Sequence, residues 1–175
     1  DSVTSFIYGM SMMFFSMMAF LFWRKGKEML FRMIMWLMIV VDLQLVKDLV
    51  FFLIYGFDNE HAWYLTSSLD MMIIPFYSFV LMELVKPGWF RWVKALMLEL
   101  PFLLLPVFYI FTHNIIWFYV LSAWGAIYGF STFILLFFMI RRYHRQLKER
   151  FSYQENINLN WLLAILNTFF LILFL

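Results

Sequence analysis

The sequence predicts an all-α fold, a polytopic transmembrane bundle of about six helices with its N-terminus outside, and three observations lead there. Hydrophobic residues make up 65% of the 175, more apolar surface than a chain of this length encloses in one soluble core. They gather in five runs of about 20 or more residues, with a sixth ended by the chain terminus, each long enough as a helix to cross a hydrocarbon layer about 30 Å thick. The basic residues alternate from turn to turn: Arg24, Lys25, Lys27 and Arg32 surround the first, Lys86, Arg91 and Lys94 the third, and Arg141, Arg142, Arg145, Lys148 and Arg150 follow the fifth span, whereas "GFDNEHAW" and "THN" contain none. Lys and Arg in short loops favour the cytoplasmic face, which puts those two loops outside.

The expected spans are 3–23, 29–55, 63–84, 92–111, 115–140 and 159–175, read as one transmembrane domain covering 1–175. The first lacks the basic n-region and small-residue cleavage site of a signal peptide and is kept as a membrane helix. Trp23, Trp63, Trp89, Trp92, Trp117 and Trp161 fall near span ends, where amphipathic rings favour the interface. The chain opens at Asp1 without a methionine and stops inside "LNTFFLILFL"; both read as an excised piece of a longer protein, the sixth span being truncated.

The second span is the polar one, with Asp42, Gln44, Lys47 and Asp48; the third carries Asp70, the fourth Glu99 and the sixth Asn167. A charge at the centre of a membrane helix costs at least about 2.5 kcal/mol and needs a partner or a purpose. At about 1.5 Å per residue, Lys47, Asp48 and Asp70 lie at similar depth, which predicts an ion-paired cluster between adjacent antiparallel helices. Asp42 and Glu99 fall nearer the midplane, within reach of Asn167. On a helical wheel Gln44, Lys47 and Asp48 share a face and Asp42 points roughly opposite, so the second helix should be enclosed on two sides. Two readings stay open: neutralised packing devices, or an outward-open polar cavity for a small solute or proton. A Schiff-base lysine for a chromophore is a third, which six helices and a second-span lysine do not match.

Pro75 follows Asp70, and Pro101 and Pro106 follow Glu99; each removes a helix hydrogen bond near a carboxyl group. In the fifth span Ser122, Gly125 and Gly129 form a small-residue face that lets another helix approach, within the chain or in a homodimer. There is no cysteine, which excludes disulfides, thiolate metal sites and a cysteine nucleophile. No phosphate-binding glycine loop, nucleophile elbow or paired His-Glu helix motif is present. We therefore expect neither an enzyme nor a cofactor and assign no metal. His61, with Asp58 and Glu60, and His113 could meet at an external metal site but lack any spacing signature. His144 is assigned nothing.

The basic run "RRYHRQLKERFSYQEN" lies on the inner surface and reads as an anchor to anionic headgroups, each charge contributing about 1 kcal/mol; it is a poor nucleic-acid element. Ser152 and Glu155 fit a capping box, and Ile157 and Trp161 share a helix face. The stretch "FSYQENINLNWL" resembles the segment, approximately Phe-Ser-x-x-Glu-x-Ile-x-Leu-x-Trp-Leu, that precedes a late membrane helix in membrane-anchored regulators of Bacteroidetes-type bacteria. The matching positions are Phe151, Ser152, Glu155, Ile157, Leu159, Trp161 and Leu162. In those proteins a multi-helix membrane region is followed by a cytoplasmic AraC-type helix-turn-helix domain or a histidine kinase. The resemblance implies an input module in a bacterial inner membrane, with an output domain on the same polypeptide, an unidentified small ligand, and a relay through Phe151, Ser152, Glu155, Ile157, Leu159 and Trp161. The alternative is a small-solute or ion transporter or channel using the intramembrane carboxylates.

Overall fold

The computed structural model describes residues 2–56, 59–150 and 164, the side chains of 147–150 excepted. The described residues form helices α1 (Ser2–Lys25), α2 (Met29–Tyr55), α3 (Glu60–Asp70), α4 (Ile73–Val85), α5 (Trp92–Thr112) and α6 (Ile116–Arg150). No residue among them is in a strand. Because α3 and α4 are two halves of one span, these are five rods and not six; the sixth expected span, 159–175, lies outside the described residues. Four of the rods, Ser2–Lys25, Glu60–Val85, Trp92–Thr112 and Ile116–Gln146, have the length and apolarity to cross a membrane, which fits a membrane protein. The remaining rod, α2, spans 27 residues and carries Arg32, Asp42, Lys47 and Asp48 along it.

The chain divides into two compact units, 1–125 and 126–175. In the first, α1 packs on α2, α2 on α3 and α4, and α3 and α4 on α5. The α1 stripe Thr4, Tyr8, Ser11, Phe15, Ala19 and Phe22 is less exposed than its flanks, the i, i+4, i+7 spacing of a single contact seam. The rest of α1, including Phe6, Met10, Met13, Phe14 and Met17, is open. A helix with one seam and an otherwise apolar circumference suits lipid as its solvent. The deepest packing surrounds α4: Phe79 meets Met33 of α2 and Ala95 of α5, with Val80, Trp89, Phe90 and Leu98 against them. Lipid tails are as apolar as these side chains, so close packing and interhelical hydrogen bonds, rather than removal from water, hold such helices together.

Short connections are fixed by specific groups. Asn59 caps α3, its side chain accepting from Ala62 N at 3.1 Å as N-cap residues do. Gly88 has φ +83, a conformation that strains residues with a Cβ. Around it the Glu83 carboxylate, 5% exposed, accepts from Gly88 N at 2.7 Å and Phe90 N at 2.8 Å, satisfying two loop donors from inside the helix.

In the second unit, α6 continues through residues 141–150, which the sequence reading places in a loop. Arg, Gln, Lys and Glu are good helix formers, so a membrane helix extends through them without a break. There Arg141 lies over Phe137, 4.5 Å from its centroid.

Candidate functional site

Of the intramembrane charges that the sequence singles out, the described ones fall into a cluster between α2 and α3 and two isolated carboxyl groups. Lys47 Nζ is 2.6 Å from Asp70 Oδ1 and 2.8 Å from Asp48 Oδ1, and it donates to Thr66 O at 2.9 Å. Two of the ammonium's three donors are thus hydrogen-bonded, to Asp70 and Thr66, and Asp48 is ion-paired beside them. Thr66 Oγ1 donates to Asp48 at 3.4 Å. Tyr8 of α1 is within electrostatic reach of both aspartates. Two carboxylates thus share one ammonium.

The break between α3 and α4 explains why the cluster forms at this position. Pro75 is fully buried; it has no N–H to return to Met71 O, and its ring crowds that carbonyl. The chain answers with tight i→i−3 bonds, Met72 N to Leu69 O and Ile74 N to Met71 O, both 3.2 Å. The carbonyls at the end of α3 accept side-chain donors from α2 in addition to their backbone bonds. Gln44 supplies one, its Nε2 donating to Leu69 O at 3.1 Å with Asp70 O at 3.5 Å. Lys47 supplies another at Thr66 O. The C-terminal end of a helix carries partial negative charge, so Asp70 at the end of α3 is poorly placed unless a cation stands beside it, and Lys47 does. One α2 face, Gln44 and Lys47, therefore caps a helix broken by Pro75.

Asp42 lies on another side of α2. Ser16 of α1 donates its Oγ to Asp42 Oδ2, while the buried Oδ1 has no partner among the described residues. Both line an open groove of about 460 Å³ with Met12, Ala19, Ile39, Leu43 and Val46. Glu99 is 8% exposed, and neither of its oxygens has a hydrogen-bond partner among the described residues. It belongs to the buried α5 stripe Ala95, Glu99, Phe102, Pro106 and Tyr109, a carboxyl group set in a seam of otherwise ordinary packing residues.

Ser122 bonds its own helix, Oγ to Phe118 O at 2.9 Å. A Cβ on Gly125 would stand 3.4 Å from Ile74 Cδ1 and 3.8 Å from Phe102 Cε1, so this glycine serves helix approach within the chain. Gly129 falls in the second unit. Asn167 and the relay positions Phe151, Ser152, Glu155, Ile157, Leu159 and Trp161 lie outside the described residues. The sequence reading missed Tyr8, Ser16, Thr66 and Glu83. The first three are hydroxyls without a charge signal, although Thr66 sits one turn before Asp70. Glu83 is adjacent to a basic loop and passes for a surface residue.

No group of three or more His, Cys, Asp or Glu placed to hold a metal occurs among the described residues. No family model, curated protein or solved structure matches the chain.

Proposed function

We propose that this chain is a membrane-embedded sensing and anchoring module, N-terminus outside, in a bacterial inner membrane, which passes a small-molecule or membrane-derived signal to a cytoplasmic regulatory domain. The observation that carries this reading is the Lys47–Asp70 pair joining α2 to the broken end of α3. A Pro-interrupted span latched by one ion pair and one amide is a natural two-state element: with the pair formed α3 is held on α2, and with it opened α3 is free to pivot at Met71 and Met72. A signal acts on such an element through different interactions with its two states. The resemblance of 151–162 to the segment before a late helix in membrane-anchored regulators supports a DNA-binding or kinase output.

The chain has no cysteine, so paired spin labels are introduced cleanly at the exposed positions Leu53 and Trp63. In nanodiscs, pulsed dipolar spectroscopy should show two distance populations that Asp70→Asn shifts toward the longer one. One unshifted population in both proteins would remove the latch.

A second reading, transport, draws on the Glu99 carboxyl beside Pro101, which has no hydrogen-bond partner among the described residues, since interrupted helices and intramembrane carboxylates line transport pathways. Proton-driven flux in proteoliposomes, lost in Glu99→Gln, would favour it over sensing.

A further inference from the structure

Two histidines that are 52 positions apart in the sequence meet where α3 begins and α5 ends. His61 and His113 have ring centroids 6.2 Å apart with planes at 75°, and both residues are exposed. Tyr109, itself 3% exposed, fixes both. Its Oη is 3.3 Å from His61 Nδ1, and its carbonyl accepts from His113 N at 2.8 Å. That second bond closes α5 with His113 in the left-handed conformation, φ 49, which is uncommon for a non-glycine residue. One buried residue thus holds the ring of one histidine through its hydroxyl and the backbone of the other through its carbonyl.

We propose that His61 and His113 form a two-imidazole site for a borderline divalent transition metal of the Zn²⁺, Cu²⁺ or Ni²⁺ kind. In the tautomer that donates Nδ1–H to Tyr109 Oη, His61 Nε2 carries the lone pair, the arrangement in which protein imidazoles bind metals, with the other nitrogen held by a hydrogen-bonding neighbour. With metal–nitrogen bonds of about 2.0–2.1 Å, two rings sharing an ion have centroids on the order of 5–6 Å apart, so a small rotation of either exposed ring completes the pair. Imidazole nitrogen selects these ions over Mg²⁺ and Ca²⁺, which prefer oxygen. With no third or fourth protein ligand gathered among the described residues, water fills the remaining positions. Such a site captures its ion reversibly and ties α3 to α5. It rests on its own geometry and does not depend on the sensing role.

The test uses the full chain in nanodiscs, with Zn²⁺ titrated calorimetrically and Cu²⁺ followed by electron paramagnetic resonance. The expected result is a single saturable site whose Cu²⁺ spectrum shows nitrogen hyperfine coupling and which gives no response to Mg²⁺. His61→Gln and His113→Gln should each weaken binding by roughly tenfold or more, and Tyr109→Phe, which frees the His61 ring, by roughly tenfold. His144→Gln should leave it unchanged. His61 and His113 are both exposed, so unchanged thermal melting of the histidine variants is expected. Absence of saturable Zn²⁺ binding, or equal binding by the His61→Gln, His113→Gln double variant, would overturn the proposal.

Discussion

Lys47 Nζ lies 2.6 Å from Asp70 Oδ1, and the same nitrogen serves Asp48 and the Thr66 carbonyl. This asymmetry gives a prediction. Removing Asp70 costs Lys47 one of three partners, whereas removing Lys47 leaves two carboxylates facing each other without a counter-charge. Asp70→Asn should therefore cost about 1 kcal/mol, the scale of interhelical polar contacts in membranes, and Lys47→Met about 3 kcal/mol, the low end for a stranded buried charge. Thermal unfolding in detergent measures both, and equal losses would contradict the shared-ammonium arrangement.

Pro75 makes a second case. Pro75→Ala restores an N–H able to reach Met71 O, and a continuous helix would then give Leu69 O and Asp70 O the backbone donors four residues on, in place of the Gln44 amide. Amide exchange at Met72 and Ile73 should slow in this variant. Gln44→Leu, which costs about 1 kcal/mol while the amide supplements the Met72 N bond to Leu69 O, should become nearly neutral in the Pro75→Ala background. An unchanged Gln44→Leu penalty would mean that the amide does not act as a cap.

These two cases show what the sequence makes legible. A lysine and an aspartate inside apolar runs conflict with the membrane solvent, so each announces a partner, and residue counting along antiparallel helices places Lys47, Asp48 and Asp70 together. The helical wheel also separates Asp42 from them, since α1 meets one side of α2 and α3 the other. What composition does not show is the backbone. Pro75 signals a break, but the carbonyls that need capping fall a turn upstream and are claimed by Gln44, a residue whose role depends on the register between two helices. The helical continuation of α6 past Ile140 is hidden for a different reason: its charged residues mark the membrane boundary, and the boundary of the lipid is not the end of the helix.

Glu83 illustrates the same difficulty and is testable. Its two oxygens accept separately from Gly88 N and Phe90 N, so an amide, with one acceptor and one donor group, cannot replace it. Glu83→Gln should destabilise by about 1–3 kcal/mol, the penalty for an unmet buried polar group, and should speed tryptic cleavage after Arg91 as the loop loosens. If Glu83→Gln melts and cleaves as the parent does, the carboxylate is not what fixes this turn.

Glu99 predicts a change of the opposite sign. A buried carboxyl with no hydrogen-bond partner among the described residues carries its desolvation uncompensated, and its neighbours on the α5 stripe, Ala95 and Phe102, are apolar. Glu99→Leu fills nearly the same length with hydrocarbon and should raise stability by about 1–3 kcal/mol on that account. Polar groups retained against stability are commonly those a protein uses, and removing them trades function for stability. Glu99→Leu should therefore melt higher than the parent. A lower melting temperature would instead show that the carboxyl is satisfied by a group beyond the described residues and serves the fold.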